Sequence, residues 1–123
     1  MGYTTEFYGS FIPNRDFTQE ETDTINNLNN IRHEDGYEKG LSTWCHWIIE
    51  DGEVCWDGGE KFYNYIQWLE YLIGKYFEKW GIKLNGEVEF QGEDYDDRGL
   101  IEVFDNIVSV YGTIYDRSKN LNI

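Results

Sequence analysis

Asp94, Asp96, Arg98, Gly99 and Asp105 fall at positions 1, 3, 5, 6 and 12 of a calcium-binding loop, a template that wants acids at 1 and 3 and a glycine at 6. Two of the five argue against the metal. Arg98 puts a cation where a ligand belongs, and Asp105 is shorter than the bidentate Glu that closes such loops. The flanks also alternate like strands. A carboxylate pair for glycoside chemistry can be drawn from the same stretch, but nothing apolar encloses it to raise one pKa. What remains is charge density: Glu93, Asp94, Asp96 and Asp97 set four carboxylates within five residues, relieved by Arg98. Such a turn either keeps a chain soluble or meets a basic partner. Glu20, Glu21 and Asp23 form a second acidic group and the next candidate for that contact.

The remaining chemistry-bearing residues are few. Cys45 and His46 are adjacent, so on a strand they point to opposite faces and cannot act as nucleophile and base. Cys45 and Cys55 lie ten apart on the two arms of one hairpin, in a register that sends them to different faces and disfavours a disulfide. Two histidines and two cysteines do not supply a zinc ligand set at usable spacing. Asp57-Gly58-Gly59-Glu60 offers acids where a phosphate loop needs amides and a lysine. The reading is therefore non-enzymatic, with no catalytic residue, no metal and no cofactor. Trp44, Tyr63, Trp68 and Tyr71 stand outside the main apolar pattern and either pack on loops or expose an aromatic set, and Trp44, Trp56, Trp68 and Tyr71 are the candidates for an aromatic surface or pocket.

The elements that would position these groups are legible from period and punctuation. Residues 2–11 alternate as a half-buried strand, and after Pro13 a capping box of Thr18 and Glu21 opens a helix burying Ile25, Leu28 and Ile31. Its many Asn residues make it a weak helix. Residues 33–40 read as a mobile loop. Asp51-Gly52 joins two strands as a type I′ turn, pairing Glu50 with Glu53, Ile49 with Val54, Ile48 with Cys55 and Trp47 with Trp56. From Glu60 to Trp80 a stripe of Phe62, Tyr65, Ile66, Leu69, Leu72, Ile73, Tyr76, Phe77 and Trp80 predicts one long amphipathic helix stopped by Gly81. A strand through Leu84, Val88 and Phe90 follows, then a hairpin about Asp105-Asn106 facing Ile101 with Val110 and Val103 with Val108. The expected fold is one α+β domain over residues 1–123: a single antiparallel sheet with the long helix across one face, in the order β-α-β-β-α-β-β-β, frayed at 117–123.

Composition then restricts the partner. The chain carries 24 acids against 10 bases, a formal charge of −14, yet 18% of its residues are aromatic, which separates it from disordered acidic tails. The segment 60–80 is neutral, so the charge belongs to the sheet, the loops and the first helix. Such a surface repels nucleic-acid backbones and anionic membranes and attracts basic proteins. No apolar start or long apolar run suggests secretion or a membrane span, and a cytoplasmic protein is expected.

Gly2 to Phe11, Trp56 to Tyr63, Trp68 to Ile73, Leu84 to Asp94 and the Trp44-Cys-His-Trp47 strand resemble a family of small acidic proteins of unknown function encoded by bacteriophages, prophages and mobile elements. The likeness covers residues 2–11 and 40–110. Residues 32–43 depart from it, being shorter than the insertion common there. The resemblance implies phage or mobile-element origin and carries no site residues with it. Two functional readings follow. The first is an acidic binding protein that occupies a basic surface of a host protein, such as a nucleic-acid-handling or defence component, by imitating nucleic acid. The second is a small-ligand module with an aromatic pocket near Trp44 and Trp56.

Overall fold

A computed structural model describes residues 2–112 of the chain. The elements are β1 (Glu6–Pro13), α1 (Gln19–Asn29), a 3₁₀ turn (Tyr37–Lys39), β2 (Trp47–Glu50), β3 (Glu53–Trp56), α2 (Tyr65–Leu72), a π-helical turn (Ile73–Phe77), β4 (Leu84–Gln91), β5 (Arg98–Phe104) and β6 (Ile107–Tyr111). The strands form one antiparallel six-stranded sheet in the order β2-β3-β1-β4-β5-β6. The fold is α+β. The expected fraying at 117–123 lies outside the described residues.

Both hairpins have the expected register, because their turns demand it. Asp51 and Gly52 take φ of 53° and 78°, and Asp105 and Asn106 take 46° and 70°, the left-handed pair that matches the twist of flanking strands. Ile49 then faces Val54, and Ile101 faces Val110. β4 is continuous through Gly86, and the reason is steric. A Cβ on Gly86 would lie 2.7 Å from the Ser10 carbonyl oxygen, and one on Gly9 of β1 would lie 2.6 Å from that of Glu87. Both glycines sit at positive φ where the two central strands approach most closely.

The capping box forms as expected: Glu21 N–H donates to Thr18 Oγ1 at 3.1 Å and Thr18 N–H donates to Glu21 Oε1 at 2.9 Å. α1 is shorter than expected, so Ile25 and Leu28 pack inward while Ile31 lies beyond its end and is exposed. Arg15 donates to Glu21 and also to the Trp80 carbonyl, tying the start of α1 to the chain after the π turn. The Arg15 hydrogen bonds hold the Glu21 carboxyl well below its ordinary 4.5, at about 2, against a smaller opposing effect of burial. A depressed folded pKa stabilises above the unfolded value and is lost as pH falls through the folded one. Wild-type stability should therefore decline relative to Glu21→Gln between pH 4.5 and about 2. Thermal midpoints over that range check it, and parallel curves would show that the pair contributes nothing.

The long helix is not what the stripe produces. α2 spans eight residues, because Lys61 and Asn64 adopt φ of 59° and 54° and break the helical path before Tyr65. Asn tolerates this region, and here its amide donates to the Leu41 carbonyl at 2.8 Å. Phe62 thus reaches the core from extended chain. Beyond Leu72 the backbone widens into the π turn, where Glu78 N–H donates to the Ile73 carbonyl, and Gly81 at φ 73° ends it. The apolar residues still converge: Leu69, Leu72, Ile73 and Phe77 are buried against Phe7, Phe11, Val54, Val88 and Ile101 of the sheet. Among the described residues no helix is long and apolar enough to cross a membrane.

Candidate functional site

The acidic loop between β4 and β5 is partly committed to the protein itself. Glu93 accepts from the Thr4 N–H, and Asp97 accepts from the Tyr3 hydroxyl at 2.7 Å. The same hydroxyl accepts from the Asp94 N–H at 3.0 Å, so the loop clamps the chain entering β1. Asp94 and Asp96 are exposed beside Tyr95, over whose ring Arg98 stacks at 4.7 Å. Neutralising all four carboxylates therefore disturbs the entry to β1 as well as the surface. In the calcium template Arg98 and Gly99 lie on β5 and Asp105 in the turn beyond it, so an extended strand of about 20 Å separates the first and last positions. Among the described residues no three of His, Cys, Asp and Glu gather as a metal site.

The acids of α1 are also divided. Glu21 is consumed by the cap and by Arg15, Asp23 accepts from the Gln19 amide at 2.8 Å, and Glu20 is exposed.

A third acidic surface has better geometry. α1 and α2 pack on the sheet face that carries Phe7, Phe11, Val54, Val88 and Ile101, and alternation sends the intervening residues to the other face. There Ser10, Glu87, Glu102 and Ser109 oppose one another in one row across β1, β4, β5 and β6. Tyr8 and Glu89 oppose each other in the next row. Glu53 of β3 accepts from Ser10, and the Tyr111 hydroxyl donates to Glu102 at 3.3 Å. Large apolar side chains stand exposed among the carboxylates: Tyr8 at 54%, Phe104 at 67%, together with Ile12 and Ile107. Alternation about Leu84, Val88 and Phe90 is enough to place Glu87 and Glu89 outward on one strand. It does not align them with Glu102, because that depends on pairing strands from separate hairpins.

The four aromatic candidates do not form one site. Trp68 is fully buried, its indole N–H donating to Ser42 Oγ at 2.8 Å, and Tyr71 packs edge-on against it. An edge position on a helix becomes a core position once residues 41–43 fold over it. Trp56 is half-buried against Phe7, with its N–H on the Gly59 carbonyl. Trp44 alone lies substantially open, at 43% exposure, on an open groove of about 690 Å³ walled by the segments 32–37, 42–46 and 60–63.

On that groove wall lies a pair that spacing did not reveal. His46 Nδ1 is 3.0 Å from Asp57 Oδ2, and Asp57 also accepts from the Asn29 amide and the Gly59 N–H, both at 2.6 Å. Burial would raise the Asp57 pKa, but the His46, Asn29 and Gly59 donors outweigh it and hold the carboxyl below its ordinary value. An ionised carboxylate only accepts, so the proton sits on His46 Nδ1 and leaves Nε2 for other partners. Gly59 permits the pair, since a Cβ there would lie 2.5 Å from His46 Nδ1. Cys45, next in sequence, is a buried thiol pushed up to about 12 by that burial, and Cys55 faces Ile48 across the hairpin; both are free.

No protein-family model, curated protein or solved structure matches this chain.

Proposed function

We propose that this is a non-enzymatic binding protein that uses the sheet face opposite α1 and α2 to occupy a basic surface of another protein. The supporting observation is the alignment of Glu53, Glu87, Glu89 and Glu102 on one face, with exposed Tyr8, Ile12, Phe104 and Ile107 between them. A flat sheet holds carboxylates on a rigid lattice about 4.8 Å apart between strands, so a cationic surface meets them without an ordering penalty. The apolar side chains supply anchoring area, and the carboxylates supply steering and register. With a charge of −14 the partner is a protein whose own site is basic, such as one that handles nucleic acid. A cytoplasmic, phage-encoded protein acting on a host component fits this surface and the two free thiols.

Glu87 and Glu102 are directly opposed across β4 and β5, so their charges act on a partner together. Changing Glu87, Glu89 and Glu102 together to Gln should abolish salt-sensitive capture of a basic protein from bacterial lysate. Pull-downs at low and high salt with both proteins test this. Capture that survives the triple change with the same salt dependence removes the sheet face from the reading.

A further inference from the structure

We propose a second, separate site: the groove between residues 32–37, 42–46 and 60–63 binds a small anion bearing a planar ring, of the nucleoside-phosphate class. The ring lies against Trp44 and Tyr37, and the phosphate meets Lys61, Arg32 and His46 Nε2. None of these residues belongs to the acidic sheet face, so the site stands or falls independently of it.

Four observations converge on this ligand. The open groove holds about 690 Å³, within the range of small-molecule sites, and two of the three Tyr and Trp side chains on it are open, Tyr37 at 60% exposure and Trp44 at 43%, while Tyr63 is half-buried. Exposed flat rings stack on a planar ligand with little conformational loss, as they do on bases. In a chain with only ten Lys and Arg, two of them and an imidazole share this one groove. The Lys61 stem lies over Gly2 beside the Tyr63 hydroxyl, and among the described residues its ammonium has no hydrogen-bond or ion-pair partner, while Arg32 meets only Glu34, at 3.5 Å and with both side chains exposed. The third observation is the His46–Asp57 pair. Asp57, itself held by the Asn29 amide and the Gly59 N–H, fixes the imidazole at Nδ1, and His46 lines the groove with its other nitrogen uncommitted among the described residues. The fourth is backbone: Lys61 holds φ 59° without being glycine, a conformation retained where surrounding structure enforces it and frequent at ligand sites.

Charge at two ranges must be weighed. The net −14 repels an anion at a distance, but at physiological ionic strength that repulsion is screened beyond about 8 Å, so the groups in contact decide affinity. Glu60, also on the groove, offers an acceptor for the hydroxyls of a sugar and disfavours a bare anion. A free phosphate should bind worse than a nucleotide for that reason.

The test titrates the full chain with adenosine monophosphate, with adenosine and with inorganic phosphate, following the tryptophan indole N–H resonances by NMR. The monophosphate is expected to shift the Trp44 signal, assigned by its disappearance in Trp44→Phe, and to bind more tightly than either fragment. Lys61→Gln should weaken binding at least about tenfold, as loss of a charge-assisted hydrogen bond does, and Arg32→Gln should act likewise, while Lys79→Gln outside the groove changes nothing. The proposal is overturned if no indole signal moves at several millimolar monophosphate, or if Lys79→Gln weakens binding as much as Lys61→Gln. Equal binding of adenosine overturns the anion contact, and equal binding of inorganic phosphate overturns the ring contact.

Discussion

Trp47→Ala is expected to remove about 3–5 kcal/mol of folding stability, most of what a domain of this size possesses. Trp47 is fully buried at the junction of sheet and helix, with the rings of Phe7, Phe11 and Phe62 at 5.3, 5.8 and 5.4 Å and its indole N–H donating to the Tyr65 carbonyl at 2.9 Å. Alanine empties one of the two largest buried side-chain volumes, that of a Trp, and removes the hydrogen bond that ties the hairpin to the first turn of α2. Urea unfolding measures the loss. A variant with an unchanged midpoint would mean that the aromatic cluster repacks without Trp47, and that this cluster does not fix how α2 sits on the sheet. Trp47→Phe keeps most of the volume and loses only the hydrogen bond, so it should fall between the two.

The second large effect is expected at Asn26, in the middle of a helix that composition marks as weak. Its amide donates to the Ile49 carbonyl at 2.9 Å and its oxygen accepts from the Ile49 N–H at 2.7 Å, so one side chain completes the outer ladder of β2. β2 is an edge strand, and unpaired edge groups invite another chain. Asn26→Ala improves helix propensity yet should destabilise by about 2–3 kcal/mol, because two backbone groups lose their partner at once. Urea unfolding measures this too, and size-exclusion chromatography should show added self-association through the bared edge. A gain in stability would show that propensity outweighs the edge contact. Asn29, which donates to the Cys45 carbonyl and to Asp57, extends the same device toward the groove.

The Asn-rich helix illustrates how local preference and tertiary use diverge. Helix propensity counts Asn26 and Asn29 as defects, whereas in the fold they satisfy the sheet edge and orient Asp57. The carboxylates show the same divergence. Glu93 and Asp97 look like surface charge in a list of residues, and in the fold they hold Tyr3 and Thr4.

What the chain encoded locally is what sequence alone determined: the two hairpin registers, the capping box, the glycine stop at Gly81 and the apolar faces of the strands. Each depends on residues within a few positions of one another, so turn geometry and side-chain period suffice to read it. Tertiary structure alone decided the rest. Asn64 leaves the helical region where its amide reaches the Leu41 carbonyl, and with Lys61 also at positive φ this shortens α2 while its stripe stays buried. Trp68 is core because Ser42, twenty-six positions earlier, folds over it. His46 meets Asp57, and Glu87 meets Glu102, across separations that no local period spans. Such contacts form only when chain closure brings distant segments together, and their energy depends on burial and on the partner atoms available there, neither of which a residue carries in its own identity.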